Sequence, residues 1–149
     1  MKQLVLVGTV VATLGAFGAT SLSAQKAGSN AMAGSTLGTV HIAKKVMADG
    51  KPLTPGTYQV RLSSDSPKAA VGESPDAERY VEFMRGGKVV AREVATVIGA
   101  SDIGKIAKTH KAPKPNTALV ETLKGDDYVR GWINKGGTNY LIHLPTSAS

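Results

Sequence analysis

Two stretches of this chain carry side chains whose types and spacing can do chemistry. The first is Gly99-Ala-Ser-Asp-Ile-Gly104-Lys105-Ile106, which fits the G-x-x-x-x-G-K half of a phosphate-cradling loop. The eighth position should be Ser or Thr to ligate magnesium, and here it is Ile106. A helix should follow, because its N-terminal dipole helps hold the phosphate. Instead the chain runs IAKTHKAPKPN and meets Pro113 and Pro115, so nucleotide binding is not expected. The same region holds Lys105, Lys108, Lys111 and Lys114 at intervals of three, with His110 among them. In a polyproline II segment, at three residues per turn, those lysines line one edge. This loop is the candidate surface for an acidic polymer. The plainer reading is a solvated connection, since no aromatic is interleaved to stack on bases.

The second stretch is YVRGWINKGGTNYLIHLP, residues 128–145, with the only tryptophan of the chain. Gly136-Gly137 predicts a two-residue hairpin turn. Lys135 then pairs with Thr138, Ile133 with Tyr140, Gly131 with Ile142 and Val129 with Leu144. Alternate side chains point to opposite faces. Val129, Ile133, Tyr140, Ile142 and Leu144 therefore share a core face, and the other face carries Tyr128, Arg130, Trp132, Asn134, Asn139, Leu141 and His143. Tyr128, Arg130, Trp132 and His143 form a candidate ligand platform of the kind that stacks on a sugar or another flat ligand. The alternative is that a helix, loop or second sheet covers Trp132 and the cross-strand pairs only stabilise the ladder.

Other chemistries find little support. The chain has no cysteine, so it has neither disulfide nor thiolate nucleophile. His41, His110 and His143 stand in no H-x-x-x-H or H-E-x-x-H arrangement. There is no G-x-S-x-G. Glu73, Asp76, Glu78 and Glu82 lie in or beside a polar loop, and Asp126-Asp127 follow Gly125 as turn residues do. Nothing selects a catalytic pair, and the expectation is a non-enzymatic chain without metal or cofactor.

The elements that must position these residues begin after a leader. MKQLVLVGTVVATLGAFGATSLSA has a lysine, an apolar stretch from Leu4 to Phe17 and small residues ending at Ala24. That is the pattern of a signal peptide cut after residue 24, and the apolar part is short for a membrane span of ~20 residues. With no cysteine after it, a lipid anchor is not expected, and the protein is expected in the periplasm or outside a bacterial cell. The leader holds Lys2 and no acidic residue, so its removal takes the net charge from +7 to +6. A balance of that size suits acidic partners, and equally plain solubility.

Residues 25–36, QKAGSNAMAGST, are small and aperiodic, and are expected to form a flexible segment. Residues 37–149 then form one domain. Its extended runs are 37–48, 57–64, 79–85, 88–98, 117–124, 128–135 and 138–145, separated by Gly, Pro, Asp and Asn. Gly86-Gly87 predicts a second tight hairpin pairing Arg85 with Lys88, Met84 with Val89, Phe83 with Val90 and Val81 with Arg92. Seven runs at this spacing predict an all-β fold, an antiparallel β-sandwich of Ig-like or transthyretin-like kind. Its edge strands leave self-association open.

The segment Ala48-Asp-Gly-Lys-Pro-Leu-Thr-Pro-Gly-Thr-Tyr-Gln-Val-Arg-Leu62 resembles a link found in exported bacterial β-sandwich proteins, the transthyretin-like and carboxypeptidase-regulatory-like modules among them. Asp49-Gly50 turns the chain, Pro52 and Pro55 stiffen it, and Tyr58, Val60 and Leu62 point one way into a core. The resemblance implies a fold and export, and no activity.

Overall fold

The computed structural model describes residues 34–108 and 111–146. The leader, the greater part of the segment after it, and His110 lie outside the described residues. Extended segments β1 (Thr36–Ile42), β4 (Gly56–Leu62), β5 (Glu78–Arg85), β6 (Lys88–Ile98), β7 (Thr117–Thr122), β8 (Tyr128–Lys135) and β9 (Thr138–Pro145) form one antiparallel sheet, in the order β1-β4-β5-β6-β9-β8-β7. A short hairpin of β2 (Val46–Ala48) and β3 (Lys51–Leu53) stands apart. The sheet curls until β1 comes close to β7 and β8, and it is nearly closed. Gly38 marks the close approach: a Cβ there would lie 3.3 Å from Cγ2 of Ile133.

The alternation expected from residues 57–62 gives the curled sheet its inner face. Tyr58, Val60 and Leu62 are buried while Thr57 and Gln59 are exposed and Arg61 is half-buried. Val81 and Phe83 follow the same rule on β5, and Val129, Ile133, Tyr140, Ile142 and Leu144 on β8 and β9. These side chains fill the interior, with Tyr58 meeting Phe83 edge to face at 6.2 Å between centroids. Contact of this kind adds ~0.5–1.5 kcal/mol to the area the rings bury.

Three expectations are corrected in detail. The run 37–48 is two strands, because Ala43-Lys44-Lys45 are exposed and break it into β1 and β2. Asp49 and Gly50, at φ 44° and 74°, then make the tight turn into β3. The flexible segment ends earlier than residue 36: Gly34 donates its N–H to the Leu62 carbonyl, and Leu62 donates to the Ser35 carbonyl. The ladder satisfies these backbone groups whatever the small side chains are.

The third correction is register. The Gly136-Gly137 hairpin pairs as expected at every position. The Gly86-Gly87 hairpin keeps Arg85 with Lys88 and Met84 with Val89, then slips at a bulge, so that Phe83 faces Ala91 and Val81 faces Glu93. Without the bulge, with Val90 paired in the ladder opposite Phe83, Arg92 would fall opposite Val81 on the core side. With it, Arg92 lies opposite Glu82, its guanidinium 4.2 Å from the centroid of the Tyr80 ring.

β6 and β9 pair only over Ala95–Ile98 and Asn139–Ile142. The β2–β3 hairpin packs where they part, burying Val46, Ala48 and Leu53 against them. Glu93 holds its tip, accepting the Asp49 N–H at 2.8 Å.

Candidate functional site

The outer face of β8 and β9 is where the sequence placed a platform, and the fold covers much of it. Trp132 is 1% exposed. Beside it lie Ile98 and Leu141, and Ile103, Ala107 and Ala112 from the β6–β7 connection pack over all three. This is a second small core, outside the sheet. Its indole N–H donates to Oδ1 of Asn139 at 2.8 Å, and Nδ2 of that residue donates to the Gly137 carbonyl at 3.1 Å.

Two further asparagines fasten the connection to the hairpin. Asn134 donates from Nδ2 to the Pro113 carbonyl at 2.9 Å and accepts the Gly137 N–H on Oδ1. Asn116, at φ 62°, accepts the Gly136 N–H on Oδ1 and donates its own N–H to the Asn134 carbonyl at 2.7 Å. Left-handed backbone of this kind suits Asn better than most residues.

The four platform residues therefore do not share one exposed stacking face. Arg130 is half-buried, bonded through Nε and Nη2 to Glu121 on β7, with its guanidinium 5.4 Å from the centroid of the Trp132 ring. His143 is exposed opposite Arg130. Partial burial first, and the Arg130 charge second, hold its pKa below the ordinary imidazole value. Tyr128 is exposed at the far end of the strand, opposite Pro145. The apolar residues Ile98 and Ile103, outside the hairpin, were the sequence signal that this face had a cover.

That cover is the lysine-bearing loop. Residues Ile103–Ile106 make a single helical turn, α1, which replaces the expected polyproline II geometry at its start. The turn forms because the Gly99 carbonyl accepts the N–H groups of Asp102 and Ile103, both at 3.1 Å. Those donors are thus engaged within the loop. Lys105 is exposed and pairs with Asp102 at 2.8 Å. Their bond lowers the Asp102 pKa and raises that of Lys105.

Lys108, Lys111 and Lys114 are also exposed. Lys114 is held by its backbone, whose carbonyl accepts the Thr117 N–H and hydroxyl. Lys135 was not singled out from sequence. The pairing of β7 with β8, extended by the bond from the Asn116 N–H to the Asn134 carbonyl, brings Lys135 beside Asn116, two residues from Lys114. No acidic residue occurs in 103–120 or in 128–149.

Other groups are occupied locally. His41 is exposed on β1 and hydrogen-bonds Thr57. Glu82 binds Arg61 at 2.6 Å, beside a shallow open depression of about 260 Å³ lined by those two with Gly34, Leu62 and Ser64. Glu73 accepts the Ala70 N–H, and Asp126, a turn residue at φ 60°, pairs with Lys44. Among the described residues no three of His, Cys, Asp and Glu are grouped to hold a metal ion. No helix among them is long and apolar enough to cross a membrane. Compared with known proteins, the chain matches no family model, no curated protein and no solved structure.

Proposed function

We propose that this chain is an exported bacterial module without catalytic activity, which works by attaching to a polyanion through Lys105, Lys108, Lys111 and Lys114. One observation carries the reading. The four lysines are exposed on a segment with no acidic residue from 103 to 120, and that segment is fastened to the sheet. Fastening matters because cations on a fixed base lose less conformational freedom when they meet a charged partner. The sugar-platform alternative loses its stacking surface to the burial of Trp132.

Export rests on the pattern of residues 1–24 and is part of the same reading. So is the finer description of the fold as a sandwich. The short β6–β9 pairing divides β1-β4-β5-β6 from β9-β8-β7, which is how two layers would meet. The likeness of residues 48–62 to links in exported sandwich proteins points the same way.

Heparin retention tests the binding. The chain is expected to elute at a salt concentration that falls clearly when the four lysines become glutamine, because each phosphate- or sulfate-like contact adds to the salt dependence. Identical elution of the two proteins rejects the reading. Mass analysis of the exported product tests the leader, with Gln25 expected as the first residue.

A further inference from the structure

The basic loop also exposes an apolar side chain that its packing does not use. α1 turns Ile103 and Ala107 toward Trp132, while Ile106 is 53% exposed, between Lys105 and Lys108 in sequence. Leu119, paired with Trp132 across the β7–β8 ladder, is 37% exposed on the same outer side of the sheet. A hydrophilic polymer in water gives an exposed isoleucine nothing to bury against. An anionic bilayer serves both kinds of group: its headgroups attract lysine, and the layer beneath takes up an apolar side chain. Lysine stems, four methylenes long, lie readily along such a boundary with the ammonium in water.

We propose that the surface built by Ile106 with Lys105, Lys108, Lys111 and Lys114 docks on a lipid bilayer carrying anionic headgroups. The inference rests on the polyanion reading above and names its partner. The charge distribution supports it, since Asp102 is the one acidic residue between Glu93 and Glu121. So does the mounting, because Asn134, Asn116 and the Trp132 core hold the loop against the hairpin rather than leaving it to collapse over Ile106. Docking of this kind is reversible and weakens with salt.

Co-sedimentation with vesicles tests it, heparin retention being measured on the same proteins. The chain is expected to pellet with phosphatidylglycerol-containing vesicles and to stay in solution with pure phosphatidylcholine. Ile106→Ser is expected to cut vesicle binding about fivefold and leave heparin elution unchanged, as partial burial of one aliphatic side chain implies. Each lysine changed to glutamine is expected to weaken vesicle binding about fivefold, the factor matching ~1 kcal/mol per basic residue near an anionic surface. Ile106 is exposed, so the variant should fold, and shielding of Trp132 from quenchers verifies that it does. Heparin retention without vesicle binding, or vesicle binding indifferent to Ile106→Ser, overturns the bilayer inference and leaves the polyanion reading standing. Loss of both kinds of binding in the unaltered chain overturns both.

Discussion

Two hairpins in this molecule turn on the same dipeptide and end differently. Gly86-Gly87 and Gly136-Gly137 all have positive φ, between 59° and 95°, and each closes a two-residue loop flanked by a basic residue before it. Beyond the turn they diverge. The first hairpin bulges at Val90 and leaves Val89 and Val90 exposed. The second runs in strict register, and β8 is buried on both faces from Gly131 to Asn134. The turn chemistry sets only the first pairs; the rest depends on what each face meets. In the first hairpin a bulge keeps Arg92 off the core side. In the second a loop supplied by distant residues makes both faces interior.

The comparison predicts unequal sensitivity. Trp132→Ala should cost most, ~3–5 kcal/mol, because it empties the second core and releases the loop above it. Urea denaturation would show the midpoint falling, whereas Val90→Ala in the other hairpin should stay within ~0.5 kcal/mol. Equal losses would remove the distinction. Asn134→Ala comes next, at ~1–3 kcal/mol, since the Gly137 N–H and the Pro113 carbonyl both lose their partner. Protease nicking within residues 99–116 should rise in that variant, and an unchanged nicking rate would show the tether to be idle.

Deleting Val90 should be milder, under ~1 kcal/mol, because the pairs on either side of the bulge then follow one another without changing faces. A large loss there would mean the bulge has a structural task of its own. The smallest effect is pH-dependent and belongs to the second hairpin. His143 is held below its ordinary pKa, so the unfolded chain takes up the proton more readily than the folded one. Stability should therefore fall as pH drops through the ordinary imidazole value of 6.5, until the folded residue protonates as well. His143→Gln should flatten that stretch of the stability–pH curve, and an unaltered slope would assign it to other groups.

The two candidate sites were legible to different depths. The lysine loop could be read directly, since charge, spacing and missing acids are properties of the chain. Its neighbour Lys135 could be found only through the pairing of β7 with β8. The faces of residues 128–145 were also readable, and they came out as the alternation required. Exposure was not readable. Nothing within the hairpin states whether Leu141 and Trp132 face water, because their cover comes from Ile103, Ala107 and Ala112, twenty or more positions back along the chain.

Local chemistry decided what could be decided from sequence: glycine pairs that turn, alternation that assigns a side chain to one face, aspartates placed in turns, and a run of lysines without acids. These depend on a residue and its near neighbours. The tertiary structure alone decided the bulge, the hairpin lodged between β6 and β9, the approach of β1 to β8 at Gly38, and the burial of Trp132. Each depends on apolar area removed from water by segments far apart in the chain, and that quantity exists only once the whole sheet has curled.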